Sequence, residues 1–185
     1  IEVPEAYGGA GMDPISYVLA MIEIAAADCA HSTIVSVNNS LFCNGILKFG
    51  TEDQKQRYVR AIAEGREIGA FALTEPQSGS DATAMRCRAV KQEDGSFAIN
   101  GKKSWITSGP VAKYIVLFAM TEPDKGARGI TAFLVDRGTP GFTIRPGYKS
   151  VSHRGYTNMI LDFDNCRLPD AQVLGAVDGG FEVMN

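Results

Sequence analysis

The sequence predicts an α+β protein. An N-terminal α-helical segment precedes a mostly antiparallel β-barrel domain, and the chain breaks off at the start of a C-terminal helical domain. Three observations carry this reading. Up to Gly65, apolar residues recur at helical spacing behind N-cap patterns. After Gly65 the period becomes two, in short runs bounded by turn residues. At Asp178-Gly179-Gly180-Phe181 a helix-opening pattern returns. The expected divisions are residues 1–67, 68–176 and 177–185.

The elements follow in order. Gly8-Gly9-Ala10-Gly11 follows no strand and lacks the GxGxxG spacing, so it reads as a flexible turn rather than a phosphate loop. Asp13-Pro14 is an N-cap with proline at the first helical position. The helix from Pro14 to about Ala30 is apolar nearly all round, which predicts burial between other elements. A second helix is expected from about Ser32 to Lys48, with Asn38, Asn39 and Ser40 inside it and Gly50 as its stop. Thr51-x-x-Gln54 is a capping-box pattern opening a third, whose inner stripe is Tyr58, Val59, Ile62 and Ala63. Strands are expected at Ile68 to Thr74, Met85 to Lys91, Phe97 to Ile99, Lys102 to Thr107, Tyr114 to Thr121, Ile130 to Asp136, Phe142 to Arg145 and Met159 to Phe163. Asn100-Gly101 is a two-residue hairpin signal, and the even spacing of short strands points to a small barrel or sandwich.

Composition narrows the function. A net charge of −3 with no Lys/Arg block argues against a nucleic-acid surface. Cys29, Cys43, Cys87 and Cys166 have no CxxC spacing and read as buried free thiols in a reducing compartment. His31 and His153 are too isolated for a metal site. The apolar run from Ile15 to Ala30 is interrupted by Glu23 and Asp28 and is no membrane span. The chain starts at Ile1 rather than Met and stops as a helical pattern begins, as expected of a fragment.

The chemistry concentrates in two stretches. Phe71-Ala72-Leu73-Thr74 ends a buried strand at Glu75-Pro76, because proline cannot donate to the ladder. Ser78-Gly79-Ser80-Asp81 then gathers backbone N–H groups and hydroxyls that suit an anionic or amide-rich ligand, or simply form two tight turns. In Trp105-Ile106-Thr107, strand alternation puts Trp105 and Thr107 on one face, where an indole and a hydroxyl could border a flat aromatic ligand. An edge-of-core Trp and a β-favouring Thr would look the same. Glu75 and Asp81 are carboxylates in a turn, a setting that favours capping of backbone N–H groups over acid–base catalysis.

Thr74-Glu75-Pro76-x-x-Gly79-Ser80-Asp81 resembles the flavin loop of the acyl-CoA dehydrogenases, and Trp105-Ile106-Thr107 resembles their second signature. Val3-Pro4-Glu5-Ala6-Tyr7-Gly8-Gly9-Ala10-Gly11 and Phe49-Gly50-Thr51-Glu52-Asp53-Gln54-Lys55 match as well, so the likeness spans most of the chain. The resemblance implies FAD as cofactor, held by Phe71, Ala72, Leu73, Thr74, Gly79, Ser80, Trp105, Ile106 and Thr107, with Ser80 also touching the acyl-CoA. Thr107 would bond near the flavin nitrogen that receives hydride, and Trp105 would lie against the ring. It implies α-proton abstraction with β-hydride transfer to FAD, electrons passing to an electron-transfer flavoprotein. A homotetramer in a bacterial cytoplasm or mitochondrial matrix is also implied. The catalytic glutamate would belong to the C-terminal helical domain, so no residue of this chain is assigned as catalytic.

Ser150-Val151-Ser152-His153-Arg154-Gly155-Tyr156 departs from the family's usual Gly-x-Arg-Gly/Ala-Ser-like run, with bulkier Ser152 and Tyr156, which leaves acyl length open. Ser36-Val37-Asn38-Asn39-Ser40-Leu41 resembles the short-chain members. An acyl-CoA oxidase or flavin monooxygenase of the same fold is a competing reading, disfavoured by the intact T-E-P and G-S-D. A non-catalytic nucleotide-binding or interaction module is another. Anaerobic bleaching of a yellow full-length protein by acyl-CoA would exclude it.

Overall fold

The computed structural model describes residues 1–184. The glycine-rich opening folds back as a turn, with the Gly11 N–H donating to the Val3 carbonyl at 2.9 Å. Helix α1 (Pro14–Ala27) is opened by the Asp13 carboxylate, which accepts from the N–H groups of Ile15 and Ser16. Its expected burial is not observed: Ile15 is 73% exposed and Leu19 59%. An all-round apolar surface states what a helix can bury, not what lies against it, and α1 packs mainly on the helix that follows.

That helix starts earlier than expected. Asp28 closes α1 and caps α2 (Cys29–Ser36) through the Ala30 N–H. Cys29 lies exposed at this junction, unlike the three other thiols. The helix continues through a π-helical stretch (Val37–Cys43), where the Asn44 N–H reaches back five residues to the Asn39 carbonyl, into α3 (Asn44–Phe49). The wider turn presents Asn38 to the sheet: its amide donates to the Ile34 carbonyl and its oxygen accepts from the Gly69 N–H, both at 2.8 Å. Gly69 must be glycine, since a Cβ there would lie 2.5 Å from the Phe42 ring.

The capping box forms as predicted, with Thr51 and Gln54 bonding each other's backbone N–H at the start of α4 (Glu52–Gln54). A π-helical stretch (Lys55–Val59) and α5 (Arg60–Ala63) follow. Tyr58 and Val59 are buried and Ile62 and Ala63 partly so, as the inner stripe requires.

The β region comprises β1 (Gly69–Ala72), β2 (Arg88–Lys91), β3 (Phe97–Thr107), β4 (Tyr114–Met120), β5 (Ile130–Asp136), β6 (Phe142–Pro146), β7 (Asn158–Leu168) and β8 (Val173–Leu174). They form one mostly antiparallel sheet in the order β6-β7-β3-β2-β4-β5-β8, with β1 added parallel to β4. The sheet stays open instead of closing into the expected barrel. β6 and β8 end the order unpaired to each other, and the chain just past β1 meets β3 through the Ser104 N–H to the Thr74 carbonyl rather than a ladder.

Asn100-Gly101 does not turn the chain; β3 runs straight through it. The β2–β3 hairpin turns instead at 92–96, where the Gln92 N–H donates to the Ser96 carbonyl. Gly101, at φ 149°, makes a bulge where the register with β7 slips, and a Cβ there would sit 2.6 Å from the Cys87 Cα.

β4 and β5 are buried on both faces, which is why they read as continuous apolar runs. Ile115 and Leu117 fill the core enclosed by the curving sheet, while Val116 and Phe118 pack outward on Phe42, Ile46 and Tyr58 of the helices. Full burial of each such side chain is worth about 1.5–3 kcal/mol. Helix α6 (Gly180–Met184) opens where the Asp178-Gly179-Gly180 pattern predicts. No helix among the described residues is long and apolar enough to cross a membrane.

Candidate functional site

The site is assembled where β1 ends beside the middle of β3. Past Ala72 the chain turns through a tight loop in which Glu75 and Ser78 exchange backbone hydrogen bonds of 2.9 and 3.2 Å. The Ser78 hydroxyl donates to the Asp81 carbonyl, and the Asp81 carboxylate accepts from the Thr83 N–H and hydroxyl. Ser78 is thereby buried, while Gly79 and Ser80 are left exposed at the loop tip. Nothing lies within 4 Å of where a Gly79 Cβ would stand, so the fold itself does not require glycine there. The open space is free for a ligand to approach the backbone.

Glu75 is a structural carboxylate. It accepts from the N–H groups of Arg86 and Cys87 at 2.7 and 3.0 Å, from the Gln77 amide at 2.6 Å and from the Lys103 ammonium at 2.8 Å. Burial pushes its carboxyl up, but Lys103 and the backbone donors outweigh burial and hold it below the usual carboxylate range. The capping role expected of Glu75 is present; its ion pair with Lys103 was not visible in the sequence. The nearest sequence signal was a lysine inside a predicted strand.

β3 bulges again at Ser104-Trp105, with Lys103 and Ser104 both buried. Trp105 and Ser108 hold φ of 61°, a left-handed conformation that costs such residues about 1–3 kcal/mol each. This twist turns Trp105 outward, 51% exposed, with Ile106 buried in the core behind it and Thr107 half-buried. Trp105 stacks on Tyr148. The Thr107 hydroxyl lies 3.4 Å from the Asn158 side-chain oxygen on β7. Buried hydroxyls of Ser104 and Ser108 have no partner among the described residues.

The predicted residues thus divide. Leu73 and Thr74 are brought to β3 through Lys103 and Ser104. Phe71 points from β1 toward the helices and packs on Phe118. Ala72 and Ile106 are core side chains and can offer a ligand only backbone groups. Gly79 and Ser80 stand at the exposed tip. Tyr148 and Asn158, which sequence reasoning missed, meet Trp105 and Thr107 respectively; they lie too far along the chain for spacing to connect them. Cys87, pushed up to about 12 by burial, and Cys166, to about 11, stay protonated and offer no nucleophile.

The donor set fits a flat aromatic cofactor with a polar edge. It combines an exposed indole, a half-buried hydroxyl, strand-end amides, and Thr74 and Ser80 hydroxyls that bond to nothing among the described residues. Its two carboxylates, Glu75 and Asp81, both accept hydrogen bonds from their own neighbourhood.

Residues 70–166 match the acyl-CoA dehydrogenase middle domain, and residues 1–66 match the acyl-CoA dehydrogenase N-terminal domain. An acyl-CoA dehydrogenase of Bacillus subtilis (strain 168) is 45% identical over 183 residues, covering 99% of this chain and 48% of that protein. The structure of butyryl-CoA dehydrogenase from Megasphaera elsdenii superposes with a TM-score of 0.93 at 40% identity, covering 98% of this chain and 48% of that one. A glutaryl-CoA dehydrogenase from Mycobacterium smegmatis in complex with FADH2 gives 0.85 at 38% identity, covering 91% and 42%. The chain spans about half the length of these relatives. The two domain matches, in order and over nearly the whole sequence, place the chain in the acyl-CoA dehydrogenase family.

Proposed function

We propose that this chain supplies the N-terminal and middle parts of an FAD-dependent acyl-CoA dehydrogenase that converts an acyl-CoA to the 2,3-enoyl-CoA. The observation carrying the proposal is the juxtaposition of the T-E-P loop with the W-I-T strand through the Ser104 N–H to the Thr74 carbonyl, 2.9 Å. Leu73 and Thr74 would bind the polar edge of the flavin through their backbone, and Thr107 would orient its reacting side. Trp105 would cover a ring face and exclude water, while Gly79 and Ser80 would admit the diphosphate or acyl-CoA. When bound, FAD supplies the acceptor for hydride from the β-carbon. An electron-transfer flavoprotein as electron acceptor, a homotetramer, and a bacterial cytoplasmic or mitochondrial matrix location belong to the same proposal. So does the division at residues 67 and 176.

The test is anaerobic titration of the purified full-length protein with acyl-CoA of graded chain length. Bleaching of bound flavin is expected, with turnover dependent on an electron-transfer flavoprotein. A colourless protein that binds no FAD, or one whose flavin stays oxidised with every acyl-CoA, would overturn the reading.

A further inference from the structure

Among the described residues, Lys103 and Glu75 form the one ion pair with both side chains buried, at 0% and 2% exposure. An apolar pair of similar volume would fasten the loop to β3 at least as well, because desolvating two charges offsets most of their attraction. What the charge adds lies in its second contact. The Lys103 ammonium also donates to the Leu73 carbonyl at 3.0 Å. That carbonyl and the Thr74 N–H belong to one trans peptide, so they point in opposite directions. With the carbonyl turned inward onto a buried cation, the N–H faces away, and it meets no acceptor among the described residues. The Thr74 carbonyl is fixed in turn by the Ser104 N–H. A cation bonded to the carbonyl end of an amide draws electron density from it and strengthens its N–H as a donor, an effect that low surrounding polarity enlarges.

We propose that Lys103 is a positioning residue: through the Leu73 carbonyl it fixes and polarises the Leu73–Thr74 peptide. The Thr74 N–H thereby binds the more electron-rich reduced flavin in preference to the oxidised form. Glu75 neutralises the ammonium within the core and sets where it sits. The proposal rests on the reading above, in which Leu73 and Thr74 border the polar edge of the flavin.

The test uses the full-length holoprotein and the double variant Glu75→Gln/Lys103→Met, which removes both charges at similar volume and orphans neither. Readouts are the thermal midpoint, the dissociation constant for oxidised FAD and the midpoint potential of bound FAD. The variant is expected to bind oxidised FAD nearly as wild type does while losing about tenfold in preference for the reduced form, a potential lower by about 30 mV. An unchanged potential in a variant that folds and binds FAD overturns the proposal and leaves the pair a structural fastener. A wild-type protein that binds no FAD overturns the underlying reading instead. A measurement without any variant is the amide proton shift of Thr74 under selective 15N-threonine labelling. A downfield move on flavin reduction supports the proposal, and no move overturns it.

Discussion

Tyr148 lies flat against Trp105, with ring centroids 3.9 Å apart and planes inclined by 12°. The two belong to different segments, so the stack ties the loop after β6 to the bulge in β3. An aromatic pair of this kind contributes about 0.5–1.5 kcal/mol beyond its buried area. It also sets the surface the indole can offer, since one face is already occupied.

Trp105 is the only tryptophan in these 185 residues, so its fluorescence reports the stack. Subtracting the emission of Trp105→Phe isolates it in the full-length protein. Tyr148→Ala is expected to shift that emission to the red as the covered face meets water, and FAD binding is expected to quench it. Emission indifferent to FAD would remove Trp105 from the ring's surroundings.

Thr107→Val keeps the shape of the β3 wall and deletes its hydroxyl. The bond it makes to Asn158 is long at 3.4 Å, so stability should fall by less than about 1 kcal/mol. Weaker FAD retention or a shifted flavin potential is expected with the fold intact. If both flavin properties match wild type, the role given to Thr107 is wrong.

Ser80→Leu adds bulk at an exposed loop tip beside open space at Gly79. Surface changes of this kind move stability by about 0.5 kcal/mol or less. Apparent affinity for acyl-CoA or FAD should drop several-fold in the full-length protein while the thermal midpoint holds. Unchanged affinity for both would take Ser80 out of the site.

How far the sequence could be read depends on the range of the interaction. The Asp13 cap and the Thr51–Gln54 box are local and were legible. So were β4 and β5, because double-sided burial writes itself as an unbroken apolar run. Asn100-Gly101 misled because the dipeptide favours positive φ without stating whether a turn or a bulge uses it. β7 lying alongside decides for the bulge. The exposure of α1, the pairing of Tyr148 with Trp105 and the Lys103–Glu75 pair depend on residues distant in the chain, which no local pattern encodes.

The lowered carboxyl of Glu75 makes stability depend on acid. Its folded value lies below its unfolded one, so its contribution is fully present above the ordinary glutamate value of about 4.3 and is lost as pH falls through the folded value. Acid unfolding followed by circular dichroism should show this limb in wild type and a flatter one in Glu75→Gln. Equal slopes would mean that Glu75 is not ion-paired in solution.

The 185-residue chain produced by itself is expected not to dehydrogenate acyl-CoA. Abstracting the proton α to a thioester needs a base within hydrogen-bond reach whose pKa suits the operating pH. Glu75, next to Thr74 in the loop, is committed to four donors and held below the usual range, which makes it a poor base. Asp81 is engaged by the Thr83 N–H and hydroxyl. Flavin affinity should be weak as well, since each contact must offset the entropy of ordering loop and ligand. The exposed Ile15, Val18, Leu19 and Ile22 of α1 form an apolar face that should limit solubility. The measurement is flavin bleaching by short- and medium-chain acyl-CoA under anaerobic conditions with excess FAD. Turnover above a no-protein control would mean that a base lies within these residues.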